Sequence, residues 1–256
     1  MARAPAWCRR LPDVDARSET APGPTTEGPA DEVTAPARQR WRLVLGRSAD
    51  APELGSREAV DAWETTLEAS GLPLFRAPGR ARPRIAFGAP IPSRLELEHE
   101  LADIVLTEFV PTWRVREGLA EHLPAGWQLA DVYDVWLGSP ALAGQVVAAD
   151  YRIQVAGADG AVLVAAAARL LDATELPRER LKGGSTVRYD LRPLLADVTV
   201  VDDGPPAVLR ARTRFDPVLG TGRPEEVVAA LGDLVGSSLV VASLVRERLI
   251  TGDEQG

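Results

Sequence analysis

The chain holds one cysteine, Cys8, one methionine, two histidines and one lysine, Lys182, in 256 residues. A lone cysteine excludes a disulfide scaffold, a cysteine-only zinc site and an iron–sulfur cluster held by this chain alone. The histidines, His99 and His122, show no HxH or HxxxH spacing, and we read both as surface or capping residues. No stretch approaches the roughly 18 apolar residues that a membrane helix needs. GxSxG and GxxxxGK[ST] are both missing, so the chain has neither a nucleophile elbow nor an ordinary P-loop. No catalytic constellation is visible, and we expect no cofactor, no bound metal and no membrane partner.

What is present is ordinary for a globular protein: 45% hydrophobic and 26% charged residues, with 22 Gly and 21 Pro. The length suits one large domain or two small ones. A net charge of -8 and a pI near 5.0 exclude a generally basic, nucleic-acid-binding surface. With Lys182 the only lysine, the other 28 basic residues are arginine. With abundant Ala, Gly, Pro and Val, that is the imprint of a GC-rich genome, so arginine content by itself says little about function. The start, MARAPAWCRRLPDVD, has no apolar core of a secretory signal. A cytoplasmic protein is expected.

Residues 1–39 read as a disordered tail, rich in Pro, Thr, Gly, Ala and charge, with almost nothing apolar to bury. Order is expected from Arg40. Strands are predicted at Trp41–Leu45, Arg84–Phe87, Leu101–Phe109 and Trp127–Trp136. A helix is predicted from Arg57 to Ser70, with Ser56 as N-cap and Val60, Trp63 and Leu67 inward. A second starts at Pro111, with Val115, Leu119 and Leu123 inward. That order, β-α-β-β-α-β, is the ferredoxin-like unit. The remainder is read the same way. Strands are expected at Val146–Ala156, Val187–Leu191, Asp197–Val201 and Ala207–Phe215, and helices at Ala161–Leu171, Pro224–Leu231 and Ser237–Ile250. The expected fold is therefore α+β: two ferredoxin-like (βαββαβ) halves with antiparallel sheets, at 40–140 and 141–252.

Three segments could carry chemistry. Gly220-Thr221-Gly222-Arg223-Pro224 opens a helix, but Glu225 and Glu226 would repel an anion there, so we read it as a helix start. Strand alternation puts Glu96, Glu98 and Glu100 on one side near Asp103. Carboxylates suit hard cations, and a solvated, charge-guarded strand entrance is the reading preferred. The segment Arg178–Pro193 stands out. Arg178, Arg180, Lys182, Arg188 and Arg192 face only Glu179 and Asp190, a local excess of positive charge in an acidic protein. Arg188, Asp190 and Arg192 alternate onto one strand face. They form either a structural Arg–Asp–Arg ladder or an anion-binding face. Arg178, Arg180, Lys182, Arg188, Asp190 and Arg192 are the candidate binding residues.

Several short pieces in order, from Arg40 to Ile250, carry a family resemblance: Gly71-Leu72-Pro73-Leu74, Pro83 to Phe87, Glu100 with Asp103, Leu123 to Trp127, Arg180 to Gly183, Tyr189 to Leu194, Arg223 to Val227, and Arg248-Leu249. The sequence resembles the radical-SAM-linked proteins, a bacterial family of unknown function whose members are fused to, or encoded beside, radical SAM proteins. Two histidine motifs usual in that family are missing here. Gly55-Ser56-Arg57-Glu58 and Gly79 to Pro83 stand in their places. The three-cysteine cluster motif of a radical SAM enzyme is absent as well. The resemblance implies a non-catalytic accessory or binding protein that acts with a separate radical SAM protein. An RNA-binding or RNA-modification-related protein using residues 178–192 is the alternative.

Overall fold

The computed structural model describes residues 35–182 and 184–255. All but the last five residues of the expected tail, with Cys8, lie outside the described residues.

The strands are β1 (Gln39–Arg47), β2 (Ala86–Phe87), β3 (Glu96–Leu106), β4 (Trp127–Val135), β5 (Val146–Ala156), β6 (Pro177–Lys182), β7 (Ser185–Asp190), β8 (Leu195–Asp202), β9 (Ala207–Asp216), β10 (Gly220–Thr221) and β11 (Val240–Thr251). The helices are α1 (Ser56–Ala69), α2 (Thr112–Ala120), α3 (Gly160–Asp172) and α4 (Pro224–Val235). One nine-stranded sheet runs β10-β9-β5-β11-β3-β1-β4, with β2 beside β3 and β8 beside β9. The architecture is mixed α+β and the sheet is mostly antiparallel, as expected. Up to β4 the strand order is β4-β1-β3-β2, and from β5 onward it is β11-β5-β9-β8. Both stretches share one βαββαβ pattern. The pair β6–β7 is an insertion outside the main sheet.

The two stretches join where β11 runs parallel to β3, the one parallel pairing among the described strands. β2 is only two residues long and covers β3 at Ala102 and Asp103. The rest of that edge, Glu96 to His99, is left for β11.

A strand, Val240–Thr251, stands where the final helix was expected at Ser237–Ile250. β11 lies between β5 and β3, and its second half is buried around Val245, Arg246, Leu249, Ile250 and Thr251. Bulges between Val241 and Ser243, Arg246 and Arg248, and Ile250 and Thr251 break its two-residue alternation, so its apolar run mimics helical spacing. No strand is predicted over residues 177–182, yet β6 forms there and pairs with β7. The third strand starts at Glu96 rather than Leu101, so the acidic run lies inside it.

Two cores form. Trp41, Leu43 and Leu45 of β1 meet Ala59, Trp63 and Leu67 of α1 and Val115 and Leu119 of α2. Tyr151, Ile153 and Val155 of β5 meet Leu163, Ala167 and Leu170 of α3 and Val227 and Leu231 of α4. The helix phase expected for α1 holds, with Trp63 and Leu67 fully buried. Gly55, not Ser56, is the N-cap, and its N–H is held by the Glu58 carboxylate at 2.7 Å. α3 starts at Asp159, which accepts from the Ala161 N–H at 2.9 Å. α4 runs past the expected Leu231 to Gly236, whose φ of 78° makes the left-handed cap that favours glycine.

Trp63 packs edge-on against Trp127, with ring centroids 5.5 Å apart. Truncating it leaves a large void between α1 and β1. Trp63→Ala is expected to cost about 3–5 kcal/mol, measured by chemical denaturation.

Candidate functional site

In the basic segment, the hairpin pairs Arg178 with Tyr189, Glu179 with Arg188, and Arg180 with Val187. Its arginines diverge. Arg178 turns to α4 and donates to Asp233 at 2.5 Å. Arg180 stacks over the Tyr189 ring at 4.9 Å. Arg188 points to solvent and pairs with exposed Glu179 at 2.6 Å. The side chain of Lys182 lies outside the described residues. Burial pushes the Tyr189 hydroxyl up from its ordinary value; nearby Glu226 adds to this and Arg180 opposes it.

The expected Arg–Asp–Arg ladder does not form. β7 ends at Asp190, and Arg192 lies in the 3-10 turn that follows. The Asp190 carboxylate accepts from the backbone amides of Leu176 at 2.7 Å and Arg192 at 2.9 Å. The Arg192 guanidinium donates to the carbonyls of Leu171, Ala173 and Leu195 at 2.8–3.0 Å, closing the C-terminal end of α3. These two residues fasten the inserted hairpin to the body.

The acidic run is also rearranged. β3 and β11 both bulge at their junction. Arg47 pairs with Leu97 and Leu45 with Glu100, which leaves an extra residue in β3. In β11, Arg246 stands opposite Tyr151 and Arg248 opposite Asp150, so the two arginines take opposite faces. Glu100 consequently faces the helix layer, 1% exposed, bound to Arg246 at 2.5 Å. Glu98 pairs with Arg152 on the open face. Asp103 is buried between Arg40 at 2.9 Å and Arg42 at 2.8 Å. The expectation of a solvated strand entrance is therefore corrected: Glu100 and Asp103 are buried counter-ions. Among the described residues no cluster of His, Cys, Asp or Glu is placed to hold a metal.

The sheet face opposite the helices carries a largely self-neutralised lattice. Arg152 bridges Glu98 and Glu247, Arg210 reaches Glu247 at 3.3 Å, and Asp150 binds Arg212 at 2.6 Å and Arg248 at 2.9 Å. Burial pushes the Asp150 carboxyl up, but its bonds to Arg212 and Arg248 outweigh this and hold it below its ordinary value.

A third feature was not found from sequence. Gln39 pairs with Leu106 and Arg40 with Val135, so one end of the sheet gathers the start of β1, the chain after β3 and the end of β4. The Gln39 side chain ties them together, accepting from the Val110 N–H at 2.8 Å and donating to Asp134 at 3.2 Å. Phe109, Trp113 and Trp136 project here, 76%, 60% and 78% exposed, beside half-exposed Tyr133 and Leu137. β4 is an edge strand. Exposed aromatics gathered at a sheet edge are the composition of a protein-binding surface. Sequence analysis placed Phe109 and Trp136 within strands. The signal it passed over was three large aromatics flanking strand and helix ends.

A family profile described as "uncharacterized protein conserved in bacteria (DUF2344)" matches residues 40–226. The chain belongs to this family. No curated protein matches it in sequence. Among solved structures, it is similar to a chain of a Cbf5–Nop10–Gar1 complex, with TM-score 0.46 and 9% identity over 83% of this chain and 51% of that one. It is also similar to a chain of an archaeal box H/ACA sRNP Nop10–Cbf5 complex, with TM-score 0.42 and 11% identity over 82% and 48%. The chain spans about half the length of those it matches. No helix among the described residues is long and apolar enough to cross a membrane.

Two outcomes are expected. Asp190→Ala strips two half-buried amides of their acceptor and should cost about 1–2 kcal/mol, read from a urea melt. Asp150 has a lowered folded-state pKa, so the stability it contributes is present above its unfolded value of about 4. That contribution is lost as pH falls through the folded value. Asp150→Asn should flatten the denaturation midpoint against pH in that acid window.

Proposed function

We propose that this DUF2344 protein is a non-catalytic accessory protein that binds a separate protein through the aromatic end of its sheet. The observation that carries the reading is the exposed cluster Phe109, Trp113 and Trp136 at the end of edge strand β4. Exposed Glu108 and Asp134 are offset there by Arg38 and Arg114, and Asp131 by Arg116, so no surplus positive charge marks this end for nucleic acid. By its sequence resemblance, the partner is a radical SAM protein encoded nearby. In this reading the partner supplies the chemistry and this chain supplies the docking surface.

A second reading has one observation in its favour. The inserted hairpin holds Arg178, Arg180, Lys182 and Arg188 against Glu179 and Asp190, so its strands carry surplus positive charge. In that reading these residues contact RNA phosphates, while Asp190 and Arg192 hold the hairpin in place.

One experiment separates them. The full chain is titrated with the neighbouring radical SAM protein and, separately, with cellular RNA. The double variant Trp113→Ser/Trp136→Ser is expected to lose protein binding at least about 30-fold, since buried tryptophans dominate interfaces. Its stability should change little because both side chains are exposed. Protein binding unaffected by the double variant overturns the first reading. RNA binding that weakens steeply with salt and in Arg188→Glu would establish the second.

A further inference from the structure

At the junction of the two stretches a cleft of about 460 Å³ opens between the 90–95 loop, the Gly220–Pro224 turn and the start of α4. That volume lies within the range of small-ligand sites, roughly 300–1,000 Å³. Its walls include Ile91, Leu95 and Phe215, and Tyr151 and Arg246 also line it. It is separated from the aromatic end by β3 and β1 and is independent of the proposed partner.

Behind the wall that Arg246 gives this cleft, the buried charge is unbalanced. Arg246 is 5% exposed, Arg47 3% and Glu100 1%. Arg47 is held by the carbonyls of Pro92 and Leu95. Arg246 gives one amino group to Glu100 at 2.5 Å and the other to the Pro90 carbonyl at 3.5 Å. Its Nε–H has no partner, and neither has one oxygen of Glu100. Two guanidinium groups thus share one carboxylate. Burial pushes the Glu100 carboxyl up, with Arg246 pulling it back. Whichever form it takes, at least one positive charge is left over. A buried donor on a charged group costs more to leave unmade than an ordinary one, and a buried charge needs a counter-ion.

We propose that this cleft binds a small organic monocarboxylate with an apolar body. The carboxylate accepts from the Arg246 Nε–H and supplies the missing negative charge. The first turn of α4, twelve residues long, opens on the same cleft and favours that charge. The apolar body lies along Ile91, Leu95 and Phe215. Arg223 also lines the cleft, outnumbered by Glu225 and Glu226. Their repulsion selects against a doubly charged phosphate and favours a singly charged group that reaches past them to Arg246. Gly222 keeps the turn tight, because a Cβ there would stand 2.6 Å from the Leu194 carbonyl.

The test uses the full chain and phenylacetate as probe, followed by calorimetry and ligand-observed NMR. Phenylacetamide, of the same shape without the charge, and phenyl phosphate are compared with it. Saturable phenylacetate binding is expected, with phenylacetamide at least about tenfold weaker, the scale of one charge-assisted hydrogen bond. Phenyl phosphate should also bind more weakly. Thr221→Trp fills the cleft without touching the Arg246–Glu100 pair, and it should abolish binding while leaving the circular dichroism spectrum unchanged. The proposal is overturned by lack of saturable binding up to about 10 mM, a free energy too small for a built site. Equal binding of phenylacetamide, tighter binding of phenyl phosphate, or indifference to Thr221→Trp would overturn it too. Because the ligand comparison is made on the wild-type chain, it stands even if a variant fails to fold.

Discussion

The buried contact between Arg246 of β11 and Glu100 of β3 is what the joined sheet is arranged around. It sits at the single described parallel pairing, between the two apolar cores. Bulges in both strands turn these two side chains toward the helix layer, while Glu98 and Arg248 turn to the open face. A charge pair of this kind adds little net stability compared with apolar packing, but breaking one half is costly. It therefore fixes which strands meet and in what register more than it deepens the core.

The same logic extends across the sheet. Asp103 is held by two arginines of β1, and the carbonyls of Ser139 and Pro140 complete the Arg40 shell. Further on, the Asp150 and Glu247 lattices bind β5, β9 and β11. Arginine suits each place because its planar fork can serve two acceptors at once. A face occupied by mutually satisfied ions is a poor platform for stacking bases. The surfaces left for partners are elsewhere, at the aromatic end of β4 and on the inserted hairpin.

The candidate site was only partly legible in sequence. The surplus of arginine in 178–192 was visible, but its grouping was not. Arg178 and Arg180 share one hairpin face, Arg188 the other, and Arg192 is consumed by backbone carbonyls. Side-chain alternation places residues on a face of an ideal strand, and here a strand end and a bulge intervene. Arg246 was missed because bulges break the alternation of its strand, which then imitates a helix. The aromatic end was missed because its members come from two stretches, 109–113 and 133–137, that only the pairing of both β3 and β4 with β1 brings together.

Local pattern alone determined much: the α+β class, the helix phase of α1 through Trp63 and Leu67, the start of α4 at Pro224, and the strands β1, β5 and β9. These depend on periodicity and capping, which act over a few residues. Only the tertiary structure decided that both βαββαβ stretches share one sheet. The same holds for β11 being a strand, and for Glu100 and Asp103 being buried counter-ions rather than a solvated acidic patch. The reason is that these outcomes depend on which edges are left open. β2 is too short to cover β3, and the uncovered edge is filled by a strand from more than 130 residues further along the chain.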